Sequence, residues 1–147
     1  MDSSKNKKPV ILKFSNKKGK LNKFIIGISS STKIHRVAWE LNKNQNINLF
    51  KAEDYISPEN NNIAFSVYNA TIDDETSIVL VENKTDGGVL SSKYINLDYF
   101  IAFATENADE EMRALAKAIK SNTFITGAFI IEPCKKILFA INTFLGC

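Results

Sequence analysis

The chain has 147 residues, 44% of them hydrophobic, 10% aromatic and 24% charged, with a formal net charge of +3. That length and composition fit one globular domain whose core can stand without disulfides or metals, and they exclude a disordered or collagen-like chain. No window reaches the ~20 consecutive apolar residues of a bilayer span, and Val10-Ile11-Leu12 is cut by Lys13 before it can serve as a signal-peptide core, so a cytoplasmic protein without membrane attachment is expected.

The charge is unevenly divided. Lys5, Lys7, Lys8, Lys13, Lys17, Lys18, Lys20 and Lys23 precede Phe24, against a single acid, Asp2, so a strongly basic segment leads a body that is net acidic. Residues 1–23 therefore read as a basic, flexible N-terminal arm, with one short extended candidate at 9–14, and residues 24–147 as a single domain. Within the arm, Lys5, Lys7, Lys8, Lys17, Lys18, Lys20 and Lys23 are the candidate polyanion-binding residues. Their only aromatic company is Phe14 and Phe24, and no nucleic-acid-binding module accompanies them, so they support weak, non-specific, salt-sensitive nucleic-acid binding at most. A solvated tail is the plainer reading.

Regular patterns begin at residues 24–28, an apolar run that predicts a strand. Ser29-Ser30-Ser31-Thr32 supplies helix-capping hydroxyls, and Ile34, Val37, Ala38 and Leu41 then recur at helical spacing, predicting a helix over 33–43 that ends among Asn42 to Asn44. Residues 47–55 show no decisive period, and Pro58 with Asn60, Asn61 and Asn62 marks a loop. Ile63, Phe65 and Val67 alternate with Ala64, Ser66 and Tyr68, as in a strand with one wet face. Asp73-Asp74-Glu75 is an acidic connection. The β-branched run 77–82 and the segment 89–95 then flank a hairpin-type turn, Asn83-Lys84-Thr85-Asp86-Gly87-Gly88, which gives an antiparallel meander. Another strand is predicted over 97–104. A helix over 108–120 follows, with Asn107 as its cap, acids in its first turn, and Arg113, Lys117 and Lys120 later. Residues 124–131 return as a strand, and Cys134, Ile137, Leu138, Ile141, Phe144 and Leu145 form a last helical stripe, although 137–144 also has strand-like composition.

The expected fold is α+β: a mainly antiparallel sheet with two to three helices, in the order β-α-β-β-β-β-α-β followed by a C-terminal helix. Phe24-Ile25-Ile26-Gly27-Ile28 through Arg36-Val37-Ala38-Trp39-Glu40-Leu41-Asn42, with Leu97-Asp98-Tyr99-Phe100 before a β-α-β end, resembles the small bacterial proteins of the IPExxVDY family. Leu97-Asp98-Tyr99 matches the end of the name-giving motif, and Ser92, Lys93 and Tyr94 stand where Ile, Pro and Glu are expected. The resemblance implies no reaction, cofactor or catalytic residue.

The residues themselves offer no catalytic constellation. His35 is the only histidine and has no partner at motif spacing, so pairing with Trp39 on a helix flank accounts for it. Cys134 and Cys147, as free thiols, give no zinc spacing, and Asp73-Asp74-Glu75 lacks the alternation and glycine of a calcium loop. No metal or cofactor is expected. Gly27 followed by Ser29, Ser30 and Ser31 could expose backbone N–H groups to an anion, though capping alone explains the hydroxyls.

What remains is a non-enzymatic domain acting through protein-protein contact. A small-molecule-sensing regulatory domain, suggested by the β-α-β end, is the alternative. Self-association is expected because 97–104 and 124–131 are apolar on both sides, and one C-terminal helix covers only a ~10 Å band of a sheet. A homodimer with Phe100 or Phe129 near its interface follows, beside an unidentified protein partner. The arm is expected to be dispensable. A chain starting at Asn22 should melt cooperatively near the temperature of the full chain in calorimetry, whereas a loss above ~2 kcal/mol would make 9–14 a strand of the sheet.

Overall fold

The computed structural model describes residues 22–45, 47–58, 61–73, 76–105, 108–132, 134–138 and 140. Lys5, Lys7, Lys8, Lys17, Lys18 and Lys20, the candidate strand at 9–14 and the cap Asn107 lie outside the described residues.

The first strand, β1 (Asn22–Ser29), begins two residues before the expected boundary, and Lys23 belongs to it, with its backbone opposite Ala104. Ile26 and Ile28 point to one side of β1 and Ile25 to the other, and all three are fully buried. This is the signature of a strand covered twice. Helix α1 (Ile34–Gln45) buries Ile34, Val37, Ala38 and Leu41, the expected stripe. It runs slightly past the expected Asn-rich end, and Asn42 stops the chain beyond it, accepting from Leu49 N at 2.7 Å and donating to Leu49 O at 3.1 Å.

Further along lie β2 (Phe50–Lys51), β3 (Tyr55–Ser57), β4 (Ile63–Phe65), β5 (Val67–Asp73) and β6 (Thr76–Glu82). After them come β7 (Lys84–Thr85), β8 (Gly88–Val89), β9 (Tyr99–Thr105), α2 (Ala108–Lys120) and β10 (Gly127–Ile131). The fold is α+β, with helices and a mainly antiparallel sheet. Among the described residues six strands form that sheet in the order β10-β1-β9-β6-β5-β2, every neighbouring pair antiparallel. Since β1 and β6 both pair with β9, and β9 and β10 both pair with β1, the chain makes two split β-α-β units. Their combined order, β10-β1-β9-β6, is ferredoxin-like.

Two apolar layers sandwich the sheet. Under α1 and α2, Ile26, Ile28, Ile78, Leu80, Tyr99, Ile101 and Phe103 pack with Leu115 and Ile119. Across the sheet, Ile25, Val79, Val81, Phe100 and Ala102 pack with Phe65, Leu90, Leu97, Ile137 and Ala140. The second cover is a mosaic of the β3-β4 hairpin, the β7-β8 hairpin with the turn after it, and the C-terminal helical residues 135–138 and 140. Leu138 N bonds Cys134 O at 2.9 Å, so this stretch is helix rather than strand, while Ile141, Phe144 and Leu145 lie outside the described residues.

Four expectations change. The strand foreseen over 89–95 keeps only Gly88–Val89 and then turns through a 3-10 helix, Ser92–Tyr94. The strand foreseen over 124–131 begins at Gly127, because Asn122 to Ile125 closes a turn, with Ile125 N bonded to Asn122 O at 3.0 Å. The alternation at 63–68 is not one strand with a wet face. It breaks at Ser66, and Phe65 and Val67 are buried on the second face. Finally, Phe100, expected near an interface, is fully buried beneath the second cover, with Tyr94 edge-on to it at 6.2 Å, so its apolar demand is met within the chain and it presents no exposed surface. Gly27 serves this layer by closeness, since a Cβ there would stand 2.3 Å from Leu97 Cδ1. Phe100→Ala should therefore cost ~3–5 kcal/mol in urea unfolding, the penalty of a core cavity. A change below ~1 kcal/mol would show that the second layer is not packed around it.

Candidate functional site

The residues that carry chemistry gather where β9 begins, and the geometry starts from one side chain. Asn83 is fully buried, so its amide must find partners inside the protein. Its Nδ2 donates to Leu97 O at 2.8 Å and Tyr94 O at 3.0 Å, and its Oδ1 accepts from Ser91 N at 2.8 Å. Asn83 N donates to Asp98 O at 2.9 Å, and Asn83 O accepts from Leu90 N at 2.7 Å. The segment 90–98 is thus shaped around one amide. Its backbone groups are satisfied there instead of on a neighbouring strand, which is why the expected strand fails.

Asp98 leaves this segment toward the end of β1. Its Oδ2 accepts from Ser30 N at 2.8 Å and its Oδ1 lies 3.2 Å from Lys84 Nζ, while its own N–H donates to Ile28 O at 2.7 Å. The hydroxyl-rich run that looked like a helix cap ties loops together. Ser30 Oγ donates to Phe124 O at 2.6 Å and accepts from Thr32 N at 3.1 Å, and Thr126 N and Oγ1 both donate to Ser29 O at 2.8 Å. Helix α1 opens instead on the carbonyl of Lys33, which accepts from Arg36 N and Val37 N. The anion suited to the backbone after Gly27 is the protein's own carboxylate, Asp98.

Tyr99 completes the knot by donating its hydroxyl to Thr32 O. Burial, reinforced by the negative charges of Asp98 and Glu82, pushes its pKa up to about 12. Glu82 is also engaged, its Oε1 accepting from Ser66 N at 2.9 Å. The cluster binds four chain segments, around Ser30, Asn83, Asp98 and Phe124, to one another. Asp98 has both oxygens committed and Tyr99 is a committed donor, so the arrangement supplies orientation and tertiary anchoring.

Other sequence candidates fall elsewhere. His35 is exposed on α1, and one turn later the Trp39 ring is flanked by Arg36 at 5.6 Å and Lys43 at 4.9 Å. Cys134 is free and half-buried, its Sγ 3.5 Å from Ser91 Oγ, and Cys147 lies outside the described residues. Among the described residues no group of three or more His, Cys, Asp or Glu side chains could hold a metal, and no helix is long and apolar enough to cross a membrane.

Phe129, the second expected interface residue, is 51% exposed, and its neighbour Ile130 is 41% exposed. They sit on β10, at one margin of the sheet, and project to opposite faces. Among the described residues no strand pairs with the outer edge of β10. The opposite margin is guarded: β2 has only two residues, one of them Lys51. Among the described residues nothing comparable guards Gly127-Ala128-Phe129-Ile130-Ile131, which carries no charge and no proline. Gly127 shapes this edge, because a Cβ there would meet the Phe129 ring at 2.6 Å, so the ring lies back along its own strand. The sequence showed the apolar run of β10 but not that it would be marginal, since strand order is a property of the whole chain.

Comparison of the chain with protein-family models, curated proteins and solved structures finds no match.

The Tyr99 bond gives a pH-dependent expectation. Its proton is held more tightly in the fold than in the unfolded chain, so its contribution is complete below pH 10 and is lost as pH rises toward about 12. Tyr99→Phe should be less stable than wild type by ~1 kcal/mol at pH 8, for the lost hydrogen bond. In denaturant titrations that gap should narrow steadily above pH 10. A gap independent of pH would break the link between the Tyr99 proton and stability.

Proposed function

We propose that this chain is a non-enzymatic interaction domain that works through protein-protein contact, self-association included, with the outer edge of β10 as its contact surface. The observation that carries the reading is an uncharged edge strand, its outer edge unpaired among the described residues, with two adjacent apolar side chains exposed, one on each face. An edge of this kind offers a row of main-chain donors and acceptors to an incoming strand, with side-chain contacts on either side. The acid and phenol at the start of β9 are engaged in holding the fold, which agrees with a binding role. Membership of the IPExxVDY family remains our reading of Leu97-Asp98-Tyr99, and the knot gives that Asp-Tyr pair a structural purpose.

A second reading has its own observation. The exposed Trp39 ring between Arg36 and Lys43 is a platform of the kind on which a base stacks while phosphates meet the cations, and the lysines of the arm would add to it. Nucleic acid that copurifies with the full chain and is released by salt would favour it.

Sedimentation equilibrium tests the first reading. The mass of the full chain should rise above 16.5 kDa as concentration increases, and Phe129→Lys should hold it at 16.5 kDa. Association that survives both Phe129→Lys and Ile130→Lys would remove β10 as the surface.

A further inference from the structure

We infer that the strand received by β10 is β10 of a second copy, antiparallel to it and centred on Phe129; this rests on the reading just given. Antiparallel pairing across a two-fold axis at Phe129 sets Phe129 against its mate, Ala128 against Ile130 and Gly127 against Ile131. All residues of β10 are then paired, and each flanking large side chain faces a small one. A shift of one residue would turn the α2 face of one copy against the opposite face of the other. Shifts of two leave part of the strand unpaired. The Phe129 rings do not collide at the axis, because each lies back over its own Gly127.

Charge points the same way. Helix α2 packs on β10, so the same axis lays α2 antiparallel to its counterpart. The first turn of α2 has the sequence Ala108-Asp109-Glu110-Glu111 and its last turn holds Lys117 and Lys120. The two-fold therefore brings the acidic end of each helix beside the basic end of the other, while β10 itself contributes no charge to bury.

Area sets the strength. An aromatic side chain carries ~150–250 Å² in all, so a half-exposed Phe129 with Ile130 offers on the order of 200 Å² per copy. Even with the strand backbone added, the total stays under the ~1,200 Å² of stable complexes, so the dimer is reversible and concentration-dependent.

The test uses the full chain with Cys134→Ser and Cys147→Ser. Under mild oxidation at high concentration, Phe129→Cys should cross-link to its own mate, because directly opposed residues bring Cα atoms within the ~4.4–6.8 Å that a disulfide spans. Glu132→Cys, which would face Thr126 of the other copy, should not. Sedimentation of the wild-type chain should show dissociation increasing about fivefold or more between ~50 mM and ~500 mM salt, where the screening length contracts severalfold. Lys117→Glu combined with Lys120→Glu should weaken the dimer at low salt. Association of the wild type without cross-linking at Phe129→Cys, or with cross-linking at Glu132→Cys, would overturn the register and leave β10 as the contact surface. A monomer at every concentration would overturn both readings. A chain starting at Asn22 that associates while the full chain does not would assign the edge to residues 1–21 and remove the second copy as its occupant.

Discussion

A sheet that is apolar on both faces has to be covered twice, and that requirement organises this molecule. Residues such as Ile25 and Ile26 on β1, or Phe100 and Ile101 on β9, are neighbours in sequence and fully buried on opposite sides. Exposing either set would forfeit roughly 1.5–3 kcal/mol for each large side chain. The first cover is regular, two amphipathic helices laid over the sheet by split β-α-β connections. The second is improvised from pieces too short to be stable on their own: two hairpins, a 3-10 turn and the C-terminal helical residues 135–138 and 140.

Improvised covers need fasteners, and the polar knot at the head of β9 supplies them. Asn83 holds the turn that carries Leu90 and Leu97 onto the second face, and Asp98 and Tyr99 hold the β1-α1 loop on the first. The Tyr94 hydroxyl reaches Glu132 O at 3.0 Å and links the 3-10 turn to the end of β10. The ion pair of Lys84 with Asp98 is partly solvated and adds little by itself, whereas the amide of Asn83 is fully enclosed. The knot therefore draws its strength from hydrogen bonds shielded from water.

The regular cover was legible in the sequence because it is written in periods. Ile34, Val37, Ala38 and Leu41 repeat at helical spacing, as do Leu115, Ala116 and Ile119, and all are buried. The two-sided character of β9 and β10 was equally visible as runs without alternation. The means of meeting it was not, because the second cover depends on contacts between residues far apart in the chain. Asn83 looked like an ordinary turn residue beside Asp86-Gly87, and nothing local distinguishes an exposed turn amide from one that organises the segment 90–98. Phe100 and Phe129 illustrate the same limit: both are aromatic residues in apolar strands, and only strand order places one at the centre of the sheet and the other at its margin.

The pairing of β1 also has a consequence for how the protein is made. Its partners are β9, where Ile28 meets Tyr99, and β10, where Ile25 meets Ile131, so both lie late in the chain. At a synthesis rate of ~5–20 residues per second, β1 emerges several seconds before either neighbour exists. Throughout that interval an extended, apolar segment has both edges open. The seven lysines that precede Lys23 share one sign of charge, a composition that disfavours association between exposed apolar segments.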